Sequence, residues 1–387
     1  MLLDYNFRNY NYRLFLYVLL LNITGVLIIR SASNQDISMV LKQIVGILVG
    51  LTAVIILSLV DYHKVVSFAP LIYGASLAFL LAVLVFGVSR GVARRWLVLP
   101  VIGQIQPSEF VKIGLIVFFA WYLSKYQERV DRKSTRLNSR YQERINEFKI
   151  LFFAGLLFLA AFGLIFLQPN LSTSLVTMVI FLCMLFAAGL SYRWILGALA
   201  VVVPCGALFI YLLQYNMVPF LQDYQVRRIM AFIDPANYAE ANLQQNNSIM
   251  AIGSGMLQGK GLNNNTLASV KNGNFLSEEQ TDFIFAVIGE ELGFIGCMAV
   301  IFLIALTVYE CLIMAARAKD LMGSLLCVGL ASLLAFQSFA NIAVATGILP
   351  NTGLPLPFIS YGVSSLLSVY LGVGVVMNVG LQRKVSN

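Results

Sequence analysis

A single histidine, His63, stands in this chain, and no multi-histidine metal centre can be built from it. The five cysteines, Cys183, Cys205, Cys297, Cys311 and Cys327, all fall in apolar runs without metal-ligand or disulfide spacing, so they read as small packing residues. Charge is scarce as well. Only 11% of the 387 residues are charged while 59% are hydrophobic, and mean hydropathy is +0.82, which excludes an ordinary soluble domain. The net charge of +8 does not indicate nucleic acid, because the basic residues sit between apolar runs and build no aromatic-interleaved surface. The first apolar run lacks a small-residue cleavage site and reads as an anchor, not a cleavable leader.

What is present is a series of apolar runs, each near the ~20 residues needed to cross a bilayer. Their centres fall at 14–29, 43–60, 68–88, 107–124, 150–167, 172–190, 194–213, 282–313, 321–348 and 360–381. The expectation is one all-α polytopic integral membrane domain over 1–387 with about ten transmembrane helices. Placing the N-terminus in the cytoplasm puts Arg8, Arg13, Lys64, Arg193, Arg317, Lys319, Arg383 and Lys384 inside, together with the basic loop 125–149, as the positive-inside rule expects. The C-terminus is then cytoplasmic too, and 214–281, between helices 7 and 8, becomes the large extracytoplasmic loop. Within 125–149, Tyr126-Gln-Glu-Arg129 recurs as Tyr141-Gln-Glu-Arg144, which suggests an insertion.

Asp282 lies where a polar stretch runs into apolar sequence. A carboxylate there is a candidate functional residue, or else caps the following helix. Basic residues on the expected outer side, Arg30, Lys42, Arg90, Arg94 and Arg95, go against the charge rule, and an anionic ligand is one reason for them. Glu109 and Lys112 stand one turn apart after Pro107, either as a structural ion pair or as an anion site in which Glu109 orients Lys112. Asn170 belongs to an outer turn whose following helix Ser172 or Thr173 can cap. Arg227 and Arg228 lie on a short amphipathic piece ending before Pro235, suited to lipid headgroups or a diphosphate. The glycine-rich run 251–261 fails the P-loop pattern; it is either a plain loop or one that carries Lys260 to an anion. Glu290 shares a small-residue face with Ala286, Gly289 and Gly293 and reads as a buried partner. Gln337 and Asn341 share a helix face as bundle contacts or pocket donors, and Ser360 opens the last span.

In order along the chain stand Arg94-Arg-Trp96, Gln106-Pro-Ser-Glu-Phe-Val-Lys112, Leu167-Gln-Pro169, Phe232-Ile-Asp-Pro235, Ala251-Ile-Gly-Ser-Gly255 with Gly259-Lys-Gly261, Thr281-Asp-Phe-Ile-Phe285 with Gly289-Glu-Glu-Leu-Gly293, and Leu349-Pro-Asn-Thr-Gly353 leading to Pro357-Phe-Ile-Ser-Tyr-Gly362. With these motifs the chain resembles the SEDS family of bacterial shape, elongation, division and sporulation proteins, from first span to last. Its short tails favour the RodA branch over FtsW. The resemblance implies a peptidoglycan glycosyltransferase polymerising lipid II into β-1,4 glycan strands, with release of undecaprenyl diphosphate at the outer face of the bacterial cytoplasmic membrane. Asp282 would be the catalytic base; Arg94, Arg95, Lys112 and Lys260 would meet the diphosphate, supported by Glu109, Asn170, Glu290, Gln337, Asn341 and Ser360. A divalent cation, Mg or Mn, could assist. Expected partners are undecaprenyl-linked glycan, a class B penicillin-binding transpeptidase and other elongation-complex membrane proteins. The chain departs from the family at Asn170, Ser172 and Val363, where Asp, Gly and Gly are common. A precursor flippase and a weakly catalytic scaffold are the alternative readings.

Overall fold

Local sequence starts five of the helices. Asn11, Asp36, Asp61, Asn170 and Asp320 each accept a hydrogen bond from a backbone N–H in the first turn that follows, satisfying donors that have no partner inside the helix. The computed structural model describes residues 9–33, 36–90, 93–99, 103–134, 140–189, 223–263 and 279–382, with scattered positions from 193 to 212. The helices are α1 (Tyr12–Ala32), α2 (Ile37–Leu59), α3 (Tyr62–Ser67), α4 (Ala69–Phe86), α5 (Pro107–Ser134), α6 (Arg140–Leu167), α7 (Leu171–Ala187), α8 (Asp223–Ile233), α9 (Ala239–Ser254), α10 (Ile284–Arg317), α11 (Leu321–Ala345) and α12 (Val363–Leu381).

Eight of these helices are long and apolar enough to cross a membrane, and the 17-residue α7 is a shorter apolar helix. The chain is therefore a multi-pass membrane protein. Nine of the ten expected spans coincide with helices; the tenth, at 194–213, lies largely outside the described residues, as do Arg8, Arg383 and Lys384. The bundle is layered. In α5, 83% of the apolar stretch is buried, against 22% in α2, so α5 is central and α2 turns most of its surface outward. Such an outward apolar face suits lipid and would be a liability in water. α2 packs on α12 through Gly46-Ile-Leu-Val-Gly50, whose two glycines let Leu366 and the ring of Tyr370 approach the backbone of α2.

Three departures from the sequence reading concern the segments between spans. Within the stretch expected as an outer loop, three short strands form an antiparallel sheet: β1 (Val88–Arg90) pairs with β2 (Ala93–Leu99), which pairs with β3 (Gly103–Ile105). The run Trp96-Leu-Val-Leu is β-prone, and pairing satisfies its backbone. Second, α5 and α6 continue through most of 125–149, and 135–139 lie outside the described residues. Third, the large loop holds two helices. α8 is the expected amphipathic piece, whereas α9 was not foreseen; its Gln245 and Ser248 donate to the carbonyls of Val344, Leu349 and Ala345, satisfying the C-terminal end of α11.

Candidate functional site

Asp282 stands just before α10, whose N-cap residue is Phe283. The backbone at 280–282 is fixed by Asn341 of α11 and by Ser360 and Tyr361 of the loop 346–362. Asn341 Nδ2 donates to the Asp282 carbonyl at 2.8 Å and to that of Leu354 at 2.7 Å. Ser360 Oγ donates to the Thr281 carbonyl at 2.6 Å and accepts from Leu356 N at 2.8 Å, while Tyr361 N donates to the Gln280 carbonyl at 2.8 Å. Leu354, Leu356, Phe358 and Ile359 of this loop are buried, and Phe358 is held at φ +66°, a conformation that only surrounding packing sustains for a bulky residue. Apolar anchoring thus makes the loop a rigid support for a half-buried carboxylate.

The carboxylate itself lies over Gly353, whose φ is +68°. A Cβ on Gly353 would stand 3.1 Å from Asp282 Oδ2 and 3.6 Å from Arg228 Nη1 of α8. Arg228, half-buried on the amphipathic helix, is therefore brought beside the acid, with Arg227 exposed next to it. The sequence placed these arginines near anions and gave no sign that one would border Asp282.

The other candidates divide into two groups. Lys112 Nζ is fully buried, 3.0 Å from Glu109 Oε2 and 2.7 Å from Gln337 Oε1, and Gln337 Nε2 donates on to the Pro355 carbonyl at 2.9 Å. Glu109 and Lys112 make the ion pair that is one of the two sequence readings, and through Gln337 the pair reaches the loop 346–362. Arg95 donates through Nη2 to the carbonyl of Pro169, and the side chain of Arg94 lies outside the described residues. Asn170 is buried and is itself the N-cap of α7, accepting from Thr173 N at 3.3 Å; Ser172 and Thr173, expected as caps, do not cap it. Ser172 Oγ donates to the Thr352 carbonyl, tying this turn to the loop under Asp282.

Lys260 and Glu290 form a separate pair, Nζ to Oε1 at 2.8 Å. The glycine-rich run docks backbone to backbone on 289–295: Lys260 N donates to the Glu290 carbonyl at 2.9 Å, Gly261 N to that of Glu291 at 3.0 Å, and Phe294 N to that of Met256 at 2.9 Å. α10 kinks at Gly293, with φ +65° and ψ −164°, and a side chain there would strike the backbone of Gln258 and Gly259. The glycines serve close approach, and Lys260 offsets a buried carboxylate.

Over residues 12–385 the chain matches the family described as Cell cycle protein, that of FtsW, RodA and SpoVE. It is 35% identical to the peptidoglycan glycosyltransferase MrdB of Escherichia coli K12 over 371 residues, covering 95% of this chain and 93% of that protein. It is 33% identical to a probable peptidoglycan glycosyltransferase FtsW of Geobacter metallireducens over 391 residues, covering 97% and 96%. Among solved structures, it superposes with a TM-score of 0.76 and 27% identity on a chain of a peptidoglycan synthase complex studied for the coordination of polymerization and crosslinking, covering 96% and 97%. The rod shape determining protein RodA of Thermus thermophilus matches at a TM-score of 0.67 and 27% identity, covering 97% and 98%.

Proposed function

The chain belongs to the FtsW, RodA and SpoVE family of cell cycle proteins, and from that premise we propose that it is a peptidoglycan glycosyltransferase that polymerises lipid II on Asp282. The observation that carries the site is the half-buried carboxylate, held through its backbone by Asn341 and bordered by Gly353 and Arg228. Asp282 takes the proton from the 4-hydroxyl of the acceptor N-acetylglucosamine as that oxygen attacks the anomeric carbon of the donor N-acetylmuramic acid. The bond to undecaprenyl diphosphate breaks with inversion, giving a β-1,4 linkage from an α-linked donor. The Arg228 guanidinium stands beside the acid across Gly353. Charge on the departing diphosphate is met from α8, where Arg227 and Arg228 replace Lys112 and Lys260 as the supporting cations.

Among the described residues no three His, Cys, Asp or Glu side chains come together to hold a magnesium or manganese ion, and Arg228 borders Asp282. The site faces outward from the cytoplasmic membrane in this reading, since lipid-linked glycan is polymerised there and the basic residues Arg13, Lys64 and Arg317 gather at the opposite end. A class B penicillin-binding transpeptidase is the proposed partner, supported by the likeness to a subunit of a synthase that couples polymerization to crosslinking.

The test is polymerisation of lipid II by the purified protein with its transpeptidase, against Asp282→Asn at matched folding. Wild type makes glycan strands and the variant none. Equal strand formation by both removes Asp282 from the chemistry.

A further inference from the structure

At the end of the bundle remote from Asp282, a cavity of about 450 Å³ opens between the start of α1, the last turns of α10 and the end of α12. Glu310 lies on α10 some 28 positions beyond Asp282, roughly 40 Å along a helix. Neither the polymerisation chemistry nor the loop under Asp282 uses this cavity. Its size falls in the range that holds small polar ligands.

The walls carry opposite charges in a fixed order. Glu310 is 5% exposed, and its Oε2 accepts from Asn11 Nδ2 at 2.9 Å. Its Oε1 stands 3.9 Å from Arg13 Nη1, beyond hydrogen-bond range, so this oxygen keeps capacity for a donor from the cavity. Arg13 and Arg317 stand at the rim, both exposed, and Arg317 makes no ion pair with another described residue. Helix dipoles point the same way. α1 begins here, its N-terminal end favouring an anion near Arg13, while α10 and α12 end here, favouring a cation near Glu310. Around the opening, Tyr12, Leu16, Tyr309 and Leu312 turn apolar surface outward where lipid would lie.

We propose that this cavity binds the headgroup of a zwitterionic phospholipid carrying a primary ammonium, phosphatidylethanolamine in chemical class. The ammonium donates to Glu310 Oε1 and the phosphodiester accepts from Arg13 and Arg317. A headgroup with phosphate alone brings no N–H donor to Glu310 Oε1, and a quaternary ammonium has none to donate.

Native mass spectrometry of the full chain in detergent, titrated with phosphatidylethanolamine, phosphatidylglycerol and phosphatidylcholine of equal acyl length, tests this. The expected result is preferential retention of phosphatidylethanolamine, weakened about tenfold by Glu310→Gln and comparably by Arg317→Gln, as for loss of one charge-assisted contact. Arg317→Gln alters an exposed side chain and keeps the test valid should Glu310→Gln disturb folding. Equal retention of phosphatidylglycerol, or phosphatidylethanolamine retention undiminished in Arg317→Gln, overturns the proposal and leaves the cavity as a generic anionic or solvent-filled cleft.

Discussion

Replacing Gly353 by alanine tests the support of the carboxylate without touching any side chain that reacts. Gly353 sits at φ +68°, where an L-residue costs about 1–2 kcal/mol. The new methyl would stand 3.1 Å from Asp282 Oδ2, closer than ordinary contact, so the carboxylate must move by a few tenths of an ångström or the loop must yield. The loop cannot yield freely, since Asn341, Ser360 and Gln337 fasten it on three sides. Misplacement of a catalytic group by about 1 Å can reduce rate about 100-fold, and a smaller shift here predicts a loss of about tenfold or more in polymerisation. Glycan synthesis from lipid II, followed by gel mobility in parallel with a thermal melt, separates the two effects. Lowered stability with an undiminished rate would refute the claim that Gly353 sets the position of Asp282. An unchanged melt would refute the backbone argument itself.

Other perturbations address the supporting residues. Lys112→Met should lower stability by about 3–5 kcal/mol by stranding buried Glu109, and the pair Glu109→Gln with Lys112→Met should recover most of it; a melt indifferent to Lys112→Met would return that lysine to a ligand role. Asn170→Asp should retain the cap of α7 and the melting temperature, whereas Asn170→Ala should lose about 0.5–2 kcal/mol, measured by the same melts. On the other face, His63 bridges Asp61 at 2.9 Å and Asp320 at 2.8 Å. Burial raises the Asp61 carboxyl, but hydrogen bonds from Gln382 and His63 outweigh it and hold the group below its ordinary 3.8. A depressed carboxyl contributes stability above its unfolded value, so the contribution is present above pH 3.8 and lost as pH falls below it. Gln382→Ala should flatten that acid limb in a pH series of melts, and an unaltered limb would remove Asp61 as its source.

The sequence alone determined the class of the molecule, because apolar runs of bilayer length and the placement of lysine and arginine are local quantities. Nine spans and the amphipathic piece before Pro235 were legible for that reason, and the ordered motifs carried the family. The partners of charged side chains were not legible. Glu109 and Lys112 could be read either as a structural pair or as an anion site until Gln337, 225 positions away, proved to complete their burial. Arg228 and Asp282 are 54 positions apart, and only the fold of loop 346–362 sets Gly353 between them. Asn170 as a cap, the sheet at 88–105 and helix α9 depended likewise on tertiary neighbours satisfying backbone groups. A span is fixed by what its own residues avoid, water, whereas a site is fixed by which distant groups packing brings within a few ångströms.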